Sequence, residues 1–176
     1  MLLSWILDNR SWMFQILTPN FESRNSNIFL NFRIQNIFMI DKINIRVYAA
    51  VVKNNAVLAL FEEYAGEHLM KFPGGGLEFG EGVLDCLHRE FEEELNVKIR
   101  IVEHLHTQEN FLVSRFRENE QLLSIYYLVE IIDENEFLIM DPCIEKIEWI
   151  PINQPDNPFP LPIDKIVFEK LKEKFL

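Results

Sequence analysis

Gly74-Gly75-Gly76-Leu77-Glu78-Phe79-Gly80-Glu81-Gly82, followed by residues 83–88 and then Arg89-Glu90-Phe91-Glu92-Glu93-Glu94-Leu95-Asn96-Val97, is the stretch on which this chain is read. Residues 82–95 have helical period, because Leu84, Leu87, Phe91 and Leu95 recur at three- and four-residue intervals and form an apolar strip. Glu90, Glu93 and Glu94 stand at i, i+3 and i+4, so their carboxylates gather on a neighbouring strip. Like charges that close weaken a helix by a few tenths of a kcal/mol per pair, roughly, unless something offsets them. Arg89, four residues before Glu93, braces part of the cluster, and divalent cations would do more. Hard carboxylate oxygens suit Mg²⁺, with Mn²⁺ an alternative, whereas zinc would want a Cys/His cluster that is not there. The glycines ahead of the helix let the backbone come close to a metal or a phosphate, and Gly74 is the glycine expected to supply a carbonyl. No Gly-Lys-Ser/Thr follows, so this is not a P-loop, and the dinucleotide-binding fingerprint is absent as well.

Outward from this stretch the pattern is mixed α and β. Residues 43–52 and 56–62 read as two strands of a hairpin turning at Asn54-Asn55, and residues 69–72 as a short strand stopped by Pro73. Five of the six glycines fall between positions 74 and 82, which reads as one loop. Residues 97–105, 121–132 and 145–150 have strand character. Five prolines from Pro151 to Pro162 make an extended connector. Residues 163–176 close the chain as an amphipathic helix, with Ile166, Val167, Leu171 and Phe175 on its expected buried side.

The first 38 residues differ. They hold six Asn and five Phe, carry a net charge of +1 and show no sustained period. Two readings stay open: translation starts at Met39 and the preceding residues are upstream read-through, or 1–38 is a genuine N-terminal extension, a strand or a partner arm. Met39 opens a segment, residues 39–176, that reads as the start of an ordinary domain. The whole chain has 176 residues, enough for one domain with a real core. With 17 Lys+Arg against 28 Asp+Glu, its surface repels nucleic acid and anionic membranes, so neither is expected as a partner. Two cysteines, Cys86 and Cys143, are too few for a disulfide-stapled secreted domain, which points to a reducing, cytoplasmic setting. No run of 18 apolar residues indicates a membrane span.

Gly75, five residues, Glu81, seven residues, Arg89-Glu90-Phe91, one residue and Glu93-Glu94 resembles the Nudix box. The departure is Asn96, where that family has glycine; Asn is the next best residue for the left-handed end of a helix. Phe72-Pro73-Gly74 and Glu148-Trp149-Ile150-Pro151 also resemble this family, and the resemblance extends over residues 43–176. It implies an α/β/α sandwich built on a mixed sheet. It also implies that Glu90, Glu93 and Glu94, with the Gly74 carbonyl, hold Mg²⁺, that Arg89 orients the glutamates, and that Glu81 supports the loop or a further metal. The implied activity is hydrolysis of a pyrophosphate linkage in a nucleoside diphosphate derivative such as a nucleotide sugar, dinucleotide or modified nucleotide. For the general base the candidates are Glu118, Glu120 and Glu145. The oligomeric state stays open, with a homodimer among the options.

An acidic run on a helix is usually a solvated face, but Arg89, Glu81 and the glycines at fixed spacing argue against that here. His68, His88, His104 and His106 share no ligand spacing, and Asp164 reads first as a charge favourable to the dipole of the last helix. Two rivals remain: a non-catalytic Nudix-fold domain that senses a nucleotide or sugar nucleotide, and a prenyl diphosphate isomerase. The first would be expected to lack box glutamates, and the second wants a catalytic cysteine that neither Cys86 nor Cys143 offers in a convincing motif.

Overall fold

The computed structural model describes residues 40–133 and 137–176; the N-terminal extension 1–38 and Met39 lie outside the described residues, and so does their assignment. Among the described residues, eight strands and two helices follow in the order β1 (Lys42–Lys53), β2 (Ala56–Tyr64), β3 (Glu67–Lys71), β4 (Gly74–Gly76), α1 (Val83–Leu95), β5 (Ile99–Thr107), β6 (Leu112–Val113), β7 (Glu120–Ile131), β8 (Ile144–Pro151) and α2 (Pro162–Phe175). β1 and β2 turn on Asn54 and Asn55, both at positive φ (51° and 57°), a conformation that Asn tolerates and a tight hairpin needs. The sheet runs β3-β2-β1-β7-β5, with β8 beside β2, β4 beside β1 and β6 beside β7. β1 and β7 are parallel and the other pairs antiparallel, so the sheet is mixed.

Strand alternation sends the core to both faces. Tyr48, Ala50, Val57 and Ala59 pack with Ile163, Val167, Phe168 and Leu171 of α2. Their neighbours Val47, Ala49, Val51, Leu58 and Leu60 pack with Cys86, Leu87, Phe91 and Leu95 of α1. Adjacent strand residues thus serve opposite layers, which is what an α/β/α sandwich requires. The expected fold is the one observed.

The differences are local and have causes. Leu84 is exposed, and Cys86 takes its place on the inner side of α1. In α2 the buried set is Ile163, Asp164, Val167, Phe168 and Leu171, with Ile166 exposed, so the inner face is turned from the expected one. The glycine run is not a free loop. Gly74, Gly75 and Gly76 form β4, paired with Tyr48, Val47 and Arg46 of β1. α1 ends as Asn96 permits: at φ 53° its N–H reaches the Glu92 carbonyl (3.0 Å), and Val97 N–H reaches that of Phe91 (3.4 Å).

Candidate active site

β4 places the site. Pro73 O accepts from Ala49 N–H (2.9 Å) and Leu77 N–H donates to Ile45 O (2.9 Å), pinning the glycine run to β1 at both ends. Gly74, at φ 126°, lies so close to β1 that a Cβ would sit 2.2 Å from Val47 O. At Gly75 a Cβ would sit 2.3–2.4 Å from the carboxylate of Glu90. Glycine at 74 lets β4 lie against the backbone of β1, and glycine at 75 lets the Glu90 carboxylate lie directly against β4.

The box glutamates occupy three depths. Glu93 is at the rim with its side chain 61% exposed; Glu90 is half-buried against Gly75; Glu94 is buried. Arg89 ties the outer ones together. Its Nε and Nη2 donate to Glu81 (3.1 and 2.7 Å), Nη1 donates to Glu90 (2.9 Å) and Glu93 (3.0 Å), and Nη2 also donates to Gly76 O (3.0 Å). The two-pronged contact with Glu81, supplemented by the Glu78 N–H (2.7 Å), holds the Glu81 carboxyl down at about 2. Glu81 is therefore a fixed anion that orients Arg89, and Arg89 in turn orients Glu90 and Glu93.

Glu94 has different partners. Its Oε2 accepts the Gly74 N–H (2.8 Å) and its Oε1 accepts from Lys71 Nζ (3.0 Å). Burial pushes its carboxyl up to about 7, although Lys71 and the Gly74 N–H pull the other way. Lys71 also reaches Glu62 Oε2 (3.0 Å) and the Gly74 carbonyl (3.1 Å). Burial opposes its charge, but Glu94, Tyr48 and Glu62 outweigh that and its pKa is raised. Among the described residues no three acidic, His or Cys side chains converge as a ready-made metal cage, because Arg89 and Lys71 stand among the glutamates. The donor chemistry nonetheless fits a hard cation: carboxylate oxygens, a glycine carbonyl, and a Gly75 backbone cradled so closely to Glu90 that no side chain fits between them.

Beside this cluster opens a cavity of about 290 Å³. Arg46, Tyr48, Glu62 and Lys71 form the wall toward the glutamates, and Phe116, Leu122, Tyr126 and Asp164 line it elsewhere. Asp164 is 2% exposed; its Oδ1 accepts from Tyr126 Oη (2.6 Å) and its Oδ2 is buried without a partner. Burial pushes the Asp164 carboxyl up to about 7 against the pull of Tyr126 and Lys71. It is thus more than a helix-dipole charge, although it does lie in the first turn of α2. Arg46 spends its Nε on Tyr48 Oη (2.9 Å).

Of the three candidate bases, Glu120 is buried at the cavity and accepts from Asn44 Nδ2 (2.9 Å). Glu118 is exposed, and Glu145 is paired with the exposed His68 (3.0 Å); neither lines the cavity. Lys71, Glu62 and Arg46 went unremarked in the sequence. Lys71 had one visible signal, a charge immediately before Phe72-Pro73-Gly74 in a short strand. Glu62 had none, since only the β2–β3 register, Leu60 opposite Lys71, makes it the lysine's diagonal neighbour.

An α/β/α sandwich carrying clustered glutamates on a helix behind a glycine strand defines a class, that of hydrolases with a carboxylate-rich site. The NUDIX domain model matches residues 43–170, and the chain belongs to the Nudix hydrolase family. Solved structures similar to it include a MutT NUDIX hydrolase from Burkholderia pseudomallei (20% identity, 74% of this chain and 98% of that one, TM-score 0.62). A NUDIX hydrolase from Nitrosomonas europaea is alike over 76% of this chain and 90% of its own, at 18% identity and TM-score 0.62. An ADP-ribose pyrophosphatase from Streptococcus suis is 16% identical over 73% of this chain and 86% of its own, with TM-score 0.51. At these identities the likeness is one of fold. No curated protein matched the sequence. Among the described residues no helix is long and apolar enough to cross a membrane.

Proposed function

We propose that this chain hydrolyses the pyrophosphate linkage of a nucleoside diphosphate derivative with Mg²⁺, or Mn²⁺ in its place, and that it does so in the cytoplasm. The observation that carries this reading is the juxtaposition of glutamates held against a glycine strand with a cavity that shares the Lys71 wall. Glu90, Glu93 and Glu94, with the Gly74 carbonyl, are the groups that would hold the metal. Bound there, a divalent ion supplies an acidified water and offsets charge on the phosphates. Everything else falls to the chain. Arg89, fixed by Glu81, keeps Glu90 and Glu93 in one orientation. Glu120, of the three base candidates the one that opens on the cavity, is the group to take a proton. The cavity houses the organic half of the substrate, where the half-buried Phe116 offers aromatic surface.

The test is release of phosphate or nucleotide from a panel of nucleotide sugars, dinucleotides and oxidised nucleotides in Mg²⁺. We expect turnover of at least one, falling by about 10²-fold or more in Glu93→Gln because a charge-stabilising group is lost from the transition state. Tight binding of a panel member with no cleavage in either Mg²⁺ or Mn²⁺ would instead identify a sensing domain.

A further inference from the structure

We propose that Lys71 is a tethered placeholder for the metal: its ammonium holds the Gly74 carbonyl and Glu94 in place in the metal-free chain, yields both oxygens when a divalent ion binds, and then serves as a substrate-phosphate contact anchored by Glu62. This rests on the function proposed above. Lys71 Nζ has three donors, and the structure gives it three acceptors from three elements: Glu62 Oε2 on β2 (3.0 Å), Glu94 Oε1 on α1 (3.0 Å) and Gly74 O on β4 (3.1 Å). Two of the three are groups assigned to the metal. An Mg²⁺ ion needs its oxygens at roughly 2.0–2.1 Å, and it repels an ammonium that addresses the same atoms. Ion and ammonium therefore compete for Glu94 Oε1 and the Gly74 carbonyl.

The third contact is outside that competition. Glu62 is not among the groups assigned to the metal, its side chain is 12% exposed, and the strand register places it diagonally across from Lys71 on the same face of the sheet. An ammonium that lost two partners would keep this one. Both Lys71 and Glu62 line the cavity, so the freed donors would face the space where the diphosphate of a substrate must lie. A charge held by Glu62, Glu94 and the Gly74 carbonyl would thus become available when a metal binds. The buried Glu94, whose second oxygen is already taken by the Gly74 N–H, is meanwhile never left without a cation.

An ordinary structural ion pair would behave differently, since it would persist whether or not metal is present. The full-length chain carrying Lys71→Met separates the two, with Mn²⁺ alone as the probe. Removal of the competitor should tighten Mn²⁺ binding about tenfold, within the range usual for coupled sites, as read by calorimetry or by the resonance of free Mn²⁺. The metal-free variant should melt below the wild type, and saturating Mn²⁺ should narrow that gap, the remainder being the Glu62 contact that the metal does not replace. Mn²⁺ affinity that is unchanged or weaker, or a melting gap that saturation leaves undiminished, would overturn the proposal. A measurement on the wild type guards against a variant that fails to fold: acetylation of the Lys71 amine, followed by mass spectrometry, should rise several-fold when Mg²⁺ is added, and an unchanged rate counts against the placeholder. The two ideas fail separately. A chain that cleaves pyrophosphates but whose Lys71→Met variant binds Mn²⁺ like the wild type keeps the function and loses the placeholder; one that cleaves none yet shows the affinity and labelling changes does the reverse.

Discussion

Asp164→Asn should change how stability depends on pH. In the folded chain burial raises the Asp164 carboxyl from its ordinary 3.8 to about 7, and Oδ2 finds no partner there. Between those values the native state keeps a proton that the unfolded chain has lost. Stability from this group is therefore complete below pH 3.8, declines as pH rises, and is fully lost above about 7. A carboxyl raised from 3.8 to about 7 corresponds to a ceiling of about 4 kcal/mol, at about 1.4 kcal/mol for each tenfold change in acidity. Relaxation and water entry lower the measurable part to about 1–3 kcal/mol. Asparagine keeps the acceptor for Tyr126 Oη and carries no charge at any pH, so the variant should match the wild type near pH 4 and exceed it by that amount at pH 8. Urea midpoints of both chains at half-unit steps from pH 4 to 8 give the difference, and other titrating groups, Glu94 included, cancel between them. Parallel curves would refute the argument, because they would mean that the Asp164 carboxyl ionises as easily folded as unfolded.

Two further outcomes follow from the packing of α1. Gly75→Ala puts a Cβ 2.3–2.4 Å from the Glu90 carboxylate, so that side chain must leave its place; turnover of the preferred substrate should fall by about 10²-fold, the cost of roughly an ångström of misplacement, while the circular dichroism spectrum is unchanged. Phe91→Ala removes a fully buried ring from the core between α1 and the sheet and should cost about 3–5 kcal/mol in denaturant unfolding.

Much of this was open to inspection in the sequence because it depends on local rules. The Asn54-Asn55 hairpin, the start of α1 after Gly82 and its end at Asn96 follow from backbone preferences of single residues. The alliance of Arg89 with Glu81, Glu90 and Glu93 follows from one helix and the turn before it. Spacing along a helix sets distance in space, so residues four apart are neighbours wherever the helix docks.

Where spacing no longer sets distance, the sequence was silent. Leu84 and Cys86 are both acceptable on an apolar strip, and the docking of α1 on the sheet buried Cys86 and left Leu84 exposed. Five clustered glycines read as a loop, yet pairing with β1 made three of them a strand, since only a backbone without side chains could slip between β1 and Glu90. Sequence alone determined the carboxylates and the helix that presents them. Only the tertiary structure decided which cations they face and where Asp164 lies: Lys71 meets Glu62 through the register of β2 on β3 and Glu94 through the docking of α1, and Asp164 is buried by the seat of α2 on the opposite layer. Each of those contacts joins segments whose separation along the chain carries no information about their distance, because it is fixed by hydrophobic burial summed over the whole core.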